Sequence, residues 1–425
     1  MKAAEFNHKQ YNLHVINVDT FRSCSMQLSF RCPFDAKKCI AYSLLCDILT
    51  EQSKDYPTSK YITRHMQESY ILNFYGSFSR IGKTLNTYIN CDYVDPNYIS
   101  EKNYLEETYK FIFGVISNPL IIDNGFEEKN FNIVKNRLLK DLRELEGNNK
   151  FTSLNKAMKL YSDNEIINFH LHDLIKYLEN LTKEELYNYY LDLINNSSVD
   201  IFVSGSTDSS KINKIVEKYY PFKNKEYVKY NDLAYPKNRI IPKKRVDKSK
   251  YKQSSLVMIY NVNYLSMFER EFVMPFYLNI LNNNGLTSKL YQNLREKNAL
   301  CYNINSSYHE RCNYLLIRST LNAGKERKAI RLVKKSVNAM KNNISKKEFT
   351  GAYYLYQSSL KGMLDSQSAI LRTYLNTYYA GFSSYETKKK EFKKVTVEDI
   401  YNVARKIRLN TVYVLKGDIN ERNQD

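Results

Sequence analysis

Residues 285–308, GLTSKLYQNLREKNALCYNINSSY, pass from helical to strand patterning within one short stretch. The stretch opens after the breaker run Asn282-Asn283-Asn284-Gly285, which supplies a capping residue, and sets Leu286, Leu290 and Leu294 four apart. Leucines one turn apart share a helix face, so that face belongs to a core. From Ala299 the pattern alternates, with Cys301 and Asn303 on one side and Tyr302 and Ile304 on the other, which is the period of a strand. Arg295 near the helix end and Tyr302 at the strand start therefore frame a small surface bearing a guanidinium and a phenol. Both groups donate hydrogen bonds, and together they suit a carbonyl oxygen and the negative charge that develops on it during attack on an amide. A plainer reading stands beside this one: Arg295 with Glu296 on a solvated helix face, and Tyr302 as one of 38 tyrosines.

Working outward, the elements around this stretch occur twice. In the first half residues 25–34 read as a strand, 36–49 as an apolar-faced helix, and Thr58-Ser59-Lys60 opens a second helix. In the second half 254–264 is the strand, 269–281 the helix, and Thr287-Ser288-Lys289 opens the next, an offset of 287 − 58 = 229 residues. Strands follow in both halves, at 82–94 in the first and at 300–307 and 314–321 in the second. Helical periodicity marks 101–116, 127–146, 183–194, 210–219, 325–340, 346–364 and 397–407, while 199–204 and 411–415 read as strands. Helices grouped between antiparallel strands give an α+β class: two duplicated domains, each an antiparallel β-sheet covered by α-helices. The first domain is assigned to residues 1–220 and the second, with the Arg/Tyr pair, to 252–425. A polar, basic linker over 221–251, containing Pro236 and Pro242, separates them.

Composition agrees with a globular chain. At 425 residues and 43% hydrophobic content there is material for two to three cores. The opening MKAAEFNHKQYNLHV lacks a charged-then-apolar leader, and the longest apolar stretch, 111–122, is broken by Asn118-Pro119. These features predict no membrane span and a cytoplasmic location. The seven cysteines, Cys24, Cys32, Cys39, Cys46, Cys91, Cys301 and Cys312, are odd in number, lack CxxC spacing and mostly sit in apolar runs, as reduced core residues do. The net charge of +19 admits nucleic acid, an anionic membrane surface or an acidic peptide. Abundant Lys, Asn and Tyr throughout, with scarce Gly and Pro and no Trp, point instead to a bias of composition. The densest basic run, 237–252 with Lys243-Lys244-Arg245, falls in the linker and reads as solvated. No RNP, KH or helix-turn-helix signature interrupts the duplicated pattern, so nucleic acid is not expected as a partner.

The pattern G-x-x-S-K-L-[YF]-x-x-[LV]-R-E-K-x-x-L-x-Y, met here from Gly285 to Tyr302, resembles the second-domain signature of the insulinase/pitrilysin zinc peptidases. In that family the matching Arg and Tyr, here Arg295 and Tyr302, help to bind substrate and to stabilise the transition state. The resemblance covers nearly the whole chain, because the family's domain of roughly two hundred residues is this α+β unit used twice. The chain is most similar to the branch of short bacterial peptidases that work as heterodimers, as mitochondrial processing peptidases do, and within it to the subunits without a metal site. LHVINVDTFRS, YPTSK at 56–60, FYGS at 74–77, VTVEDIYNVARKI from Val395 and TVYVLKGD from Thr411 carry that likeness.

An active member of the family needs HxxEH on a first-domain helix, where two histidines bind Zn²⁺ and the glutamate acts as base toward the bound water. The chain has six histidines and no such motif. The corresponding positions fall near Ser43, Cys46 and Asp47, within AYSLLCDILTE, and the helix expected to give the third ligand has no acidic residue from Asn130 to Lys140. No metal is therefore expected in this chain. His170-x-His172-Asp173 has strand-type ligand spacing but sits in a helical stretch, where i and i+2 point apart. His65 with Glu68 reads as an exposed helical pair, and His309, after the Arg/Tyr segment, as a residue that could line the same cleft or stand at a loop tip.

The resemblance implies a non-catalytic subunit, inactive alone, of a heterodimeric zinc metallopeptidase. Its homologous partner would carry HxxEH, zinc and the general base; this chain would bring Arg295, Tyr302 and a wall against which an extended peptide adds as a strand. Peptide maturation, such as leader removal, fits that role. The alternative is a peptide-binding scaffold with no peptidase role.

Overall fold

The computed structural model describes residues 3–163, 171–230, 239, 241–283 and 287–418. Asn284, Gly285, Leu286, His170 and Pro236, used in the sequence reading, lie outside them. Along the chain β1 (Ala3–Asn7), β2 (Tyr11–Asn17) and β3 (Ser23–Pro33) lead into α1 (Ala36–Glu51), α2 (Ser59–Glu68) and the hairpin β4 (Ile71–Ile81) and β5 (Thr84–Val94). Next come α3 (Tyr104–Ser117), the two-residue strands β6 (Ile121–Ile122) and β7 (Gly125–Phe126), α4 (Glu128–Gly147) and α5 (Asn149–Tyr161). They are followed by α6 (Leu171–Asn180), α7 (Lys183–Asn196), β8 (Ser198–Gly205) and α8 (Ser209–Tyr219). After β9 (Lys243–Lys248) and β10 (Gln253–Val262), one helical run is built of a π-helical turn Glu269–Val273, α9 (Met274–Leu278) and a second π-helical turn Asn279–Asn283. A third π-helical turn, Tyr291–Glu296, precedes β11 (Cys301–His309) and β12 (Tyr314–Asn322). The chain closes with α10 (Glu326–Ala339), α11 (Lys346–Gly362), α12 (Gln367–Ala380), α13 (Tyr385–Glu391), α14 (Val397–Arg405) and β13 (Ile407–Lys416).

Local sequence explains several of these starts. The Asp35 carboxylate accepts from Lys38 N at 2.8 Å and so satisfies one of the open N–H groups of α1. Thr182 with Glu185 and Thr396 with Asp399 form reciprocal capping boxes at α7 and α14.

Two compact units result. One takes Met1–Arg143, His172–Asp232 and Met363–Ala380; the other takes Glu144–Leu171, Leu233–Gly362 and Gly381–Asp425. The first sheet runs β1-β2-β8-β3-β5-β4 and the second, read from its β9 edge, β9-β13-β10-β12-β11. Beyond the extra β1 the two orders match strand for strand, and so do their directions. The β2/β8 and β9/β13 ladders are parallel, and every other ladder in the two sheets is antiparallel. The duplicated α+β plan is thus present in the topology. One parallel ladder in each sheet was not foreseen.

The division is not by halves of the chain. Helix α5 follows α4 in the first half yet belongs to the second unit, where Ala157, Met158 and Tyr161 pack on Val257 and Ile259 of β10 and on Tyr413 and Leu415 of β13. Its counterpart α12 follows α11 in the second half yet belongs to the first unit, where Ile370 and Leu371 pack on Ile16 and Phe202. Burying an Ile or Leu side chain stabilises by roughly 1.5–3 kcal/mol, so each transferred helix is held by core contacts. Around α12 lies a polar network: the fully buried Asp200 carboxylate accepts from the hydroxyls of Tyr227 at 3.2 Å, Tyr378 at 3.3 Å and Tyr379 at 2.8 Å.

Within the stretch assigned to a linker, residues Lys243–Lys248 form β9, an edge strand of exposed, charged side chains paired with β13. Charges on an edge discourage pairing with other chains, which is why a basic run can serve as a strand. All seven cysteines are free. Among the described residues no helix is long and apolar enough to cross a membrane.

Candidate functional site

Arg295 and Tyr302 are brought together. Leu290 and Leu294 are fully buried, as the spacing required, and fix the helical segment against its core. The backbone then widens: Lys297 N donates to Gln292 O at 3.0 Å, closing a π-helical turn around Arg295. Such turns are uncommon and are found at functional sites. The segment ends at Ala299, whose φ of 46° lies in the left-handed region, and Leu300 N reaches back to Leu294 O at 2.9 Å. A non-glycine residue in that region is strained by its Cβ, so the reversal is held by its surroundings.

The strand that follows does not simply alternate. Its register with β12 shifts between Cys301 and Asn303, so Tyr302 occupies a β-bulge and Tyr302 and Asn303 both face outward before Ile304 returns to the core. The expected faces, Tyr302 with Ile304 against Cys301 with Asn303, are therefore corrected. A bulge adds one residue and turns a side chain away from the pleat. Tyr302 is 81% exposed. The Arg295 guanidinium carbon lies 5.0 Å from the Tyr302 ring centroid and 4.9 Å from that of Tyr291, so the cation stands between two rings. Its approach to Glu296 is only 4.0 Å, and neither Arg295 nor the Tyr302 hydroxyl hydrogen-bonds any described residue. The plain reading, Arg295 with Glu296 on a solvated helix face, accounts for the exposure of Tyr302 but not for the seating of the guanidinium between two rings. Tyr291 was missed by the sequence reading, although its position four residues before Arg295 is the spacing at which helical side chains meet.

His309 is not part of this cluster. It ends β11, seven residues from Tyr302, which is about 23 Å along a strand rising ~3.3 Å per residue. There it stacks on Tyr314 with centroids 4.4 Å apart, and Ser307 Oγ lies 3.2 Å from its Nε2.

The first unit repeats the geometry of the bulge. Tyr70, 229 residues before Ala299, has φ 52°, and the β4/β5 register shifts between Ile71 and Asn73, leaving Leu72 as the projecting residue. In this unit Ser43, Cys46 and Asp47 lie on α1. Cys46 is buried against β4 so closely that a Cβ on Gly76 would stand 2.6 Å from its carbonyl oxygen, and burial pushes its thiol far up from the ordinary range. Arg137 of α4, the helix expected to give a third ligand, donates to Asp47 at 3.2 Å and to Glu51 at 2.7 Å. A guanidinium thus supplies the positive charge beside these carboxylates. A serine, an inert buried thiol and an arginine do not make a zinc ligand set. Among the described residues no group of three or more His, Cys, Asp or Glu side chains is disposed to hold a metal ion.

The other histidines with a proposed reading are also placed. His65 is half-buried, stacked on Phe111 at 4.5 Å and close to Tyr56, while Glu68 pairs with Arg64 at 2.8 Å, so the expected His65–Glu68 pair is not formed. His172 lies in α6; His170 is outside the described residues.

Residues 180–353 match the family model described as the peptidase M16 inactive domain. A relative from Bacillus subtilis (strain 168) named "probable inactive metalloprotease YmfF" is 20% identical over 416 residues, 96% of each chain. Among solved structures, a conserved protein from Enterococcus faecalis V583 superposes with a TM-score of 0.91 at 21% identity, covering 99% of both chains. A peptidase M16 inactive domain from Pseudomonas fluorescens does so with a TM-score of 0.78 at 14% identity, again over 99% of both. Family model, relative and fold agree with the likeness carried by Gly285 to Tyr302: the chain is similar to the insulinase/pitrilysin, or M16, family, and its residues 180–353 match the inactive domain of that family.

Proposed function

We propose that this chain is the non-catalytic half of a two-chain peptidase, completing with Arg295 and Tyr302 a site whose metal and general base reside on a homologous partner bearing HxxEH. The observation that supports it most is the Arg295–Tyr302 pair, with Tyr302 exposed, Arg295 partly buried against its ring, and neither hydrogen-bonded to any described residue. Both groups only await an acceptor. The guanidinium gives a permanent charge and a planar fork of donors, and the phenol a single directed donor. Aimed at a peptide carbonyl, they would strengthen their hydrogen bonds as the oxygen gains charge, which lowers the barrier more than it tightens ground-state binding. In this reading the zinc is the partner's, the substrate is an extended peptide, as in maturation or leader removal, and the complex acts in the cytoplasm.

The test is reconstitution. This chain alone should leave a fluorogenic peptide intact, its HxxEH-bearing homologue alone should cleave slowly, and the mixture should cleave fast. Equal rates for the homologue with and without this chain would remove the proposed role and leave a scaffold.

A further inference from the structure

On the face of the second sheet that carries α5 there is a groove of about 150 Å³, lined by Lys150, Ser255, Asn303, Asn305, Arg318 and Thr320, with no acidic residue among its lining. We propose that this groove is a carboxylate-binding subsite, which takes an acidic side chain of a peptide laid along β11 beside Tyr302. The proposal rests on the reading of Arg295 and Tyr302 as a peptide site.

The ladder places these residues on one face. Asn303 stands opposite Thr320 and Asn305 opposite Arg318 across β11 and β12, while Ser255 of β10 stands opposite Thr320 on the other side. Helix α5 covers this face over β10 and β13, anchored by Ser153 and Ser255 hydroxyls 2.6 Å apart and by Asn149 donating to Gln253 O at 3.3 Å. Its first turn, fixed by the Asn148 cap on Lys150 N, brings Lys150 to the groove. The part of the face beyond α5, over β11 and β12, is polar.

The side chains there are provided with donors and lack acceptors. Arg318 is partly buried, and neither it nor the Lys150 ammonium hydrogen-bonds or ion-pairs with any described residue. The same holds for the side chains of Asn303, Asn305 and Thr320. Elsewhere in this chain half-buried cations find carboxylates, as Lys406 does with Glu269 at 2.6 Å and Lys289 with Glu348 at 2.7 Å. Two cations and two amides around one opening make a site for an anion, and a guanidinium matches a carboxylate with paired, charge-assisted hydrogen bonds. Asn305, opposite Arg318, is three residues from Tyr302, about 10 Å along the strand. An extended peptide with its scissile carbonyl at Tyr302 would therefore present an acidic residue about three positions away.

The experiment measures anisotropy of a fluorescein-labelled decapeptide with aspartate at alternate positions, and of its asparagine counterpart, on the full chain. Wild type should bind the aspartate peptide about tenfold more tightly, the scale of one charge-assisted hydrogen-bonded pair. Arg318→Gln and Lys150→Gln should each remove most of that preference and leave the asparagine peptide unaffected, whereas Lys347→Gln, an equal charge change at an exposed site on α11, should not. Inorganic phosphate and succinate should compete only weakly, because they lack the peptide's contacts along β11. Equal affinity for the two peptides overturns the subsite while leaving a peptide site in place. An equal effect of Lys347→Gln assigns the preference to net charge, displacement by phosphate at the peptide's own concentration makes the site one for free anions, and each overturns the proposal. Binding of neither peptide overturns both the subsite and the reading beneath it.

Discussion

The Arg295 guanidinium rests 5.0 Å from the centre of the Tyr302 ring, so the orientation of each group depends on the other. An exposed cation–π contact is worth about 0.5–1 kcal/mol, enough to bias a side chain and little for the stability of the fold. Tyr302→Phe keeps the ring and the stack but removes the hydroxyl. In the reconstituted complex it should lower kcat on the order of a hundredfold with KM nearly unchanged, the mark of a donor used mainly in the transition state. Circular-dichroism melting should not distinguish it from wild type. Wild-type turnover by Tyr302→Phe would return the hydroxyl to ornament.

Arg295→Lys separates charge from shape. Lysine keeps the positive charge but loses the planar fork and stacks less well between Tyr291 and Tyr302. Turnover should fall, with weaker peptide binding added to it. Tyr291→Leu should have a milder effect in the same direction, since it removes one of the two rings and leaves Arg295 and the Tyr302 hydroxyl. A Tyr291→Leu complex as impaired as Arg295→Lys would mean that the stack itself, rather than the donors, is the working part.

Much of this site could be read from the sequence because its signals are local. Leu290 and Leu294 declare a buried face, and the change of period at Ala299 declares the strand. The bulge was not legible: whether Tyr302 pairs or projects depends on the register with β12, residues distant in sequence. The same limit hid the transfer of α5 and α12. Their patterns specify an apolar stripe, but which sheet receives the stripe is decided by tertiary contacts, such as Ile370 and Leu371 against Phe202. Strand β9 was hidden for another reason, because Lys243, Lys244 and Arg245 look like a solvated run and an edge strand tolerates such a run. His65 was misread from spacing alone, since Phe111 lies on another helix.

The arginine at the metal position leads to a metal-binding prediction. Arg137 spans Asp47 and Glu51, so the purified, dialysed chain should hold well under one zinc per chain by plasma mass spectrometry. The partly exposed ion pairs contribute about 0–1 kcal/mol each, and Arg137→Met should cost no more than about 2 kcal/mol in denaturant unfolding. One tightly held zinc per wild-type chain would overturn this prediction and direct attention to His172 and its surroundings.

His65 gives a pH dependence with a defined sign. Burial lowers its pKa below the ordinary histidine value of 6.5, against weaker opposing contributions from Glu68 and Glu107. The unfolded chain, with the higher pKa, binds the proton first as pH falls, so folding loses stability from about neutral pH down through the folded-state pKa. The stabilising contribution of neutral His65 is fully present above the unfolded value. His65→Asn should therefore have a shallower fall in Tm between pH 7.5 and 5.5 than wild type, though a lower Tm at pH 7.5 for loss of its stack on Phe111. Parallel Tm profiles would show that other groups govern acid stability.

The last prediction concerns what holds α12 in the first unit. Apolar contacts of Ile370 and Leu371 bring the helix to the sheet, but its rotation is specified by Tyr378 and Tyr379, whose hydroxyls donate to the buried Asp200 carboxylate at 3.3 Å and 2.8 Å. A carboxylate without solvent needs such donors, and each donor removed leaves part of its charge unsatisfied. Arg31 stacks at 3.9 Å over the Tyr379 ring, so the ring itself is a contact that phenylalanine would keep. Tyr379→Phe should thus isolate the hydroxyl, at a cost of about 1.5–3 kcal/mol for a hydrogen bond to a charged acceptor. The cost should appear first as faster amide hydrogen exchange in α12, because local opening needs less energy than global unfolding. Tyr378→Phe should act in the same direction but less, since its bond to Asp200 is longer. If exchange in α12 is unchanged in Tyr379→Phe while the rest of the unit is destabilised, the network serves the sheet around Asp200 rather than the docking of the transferred helix.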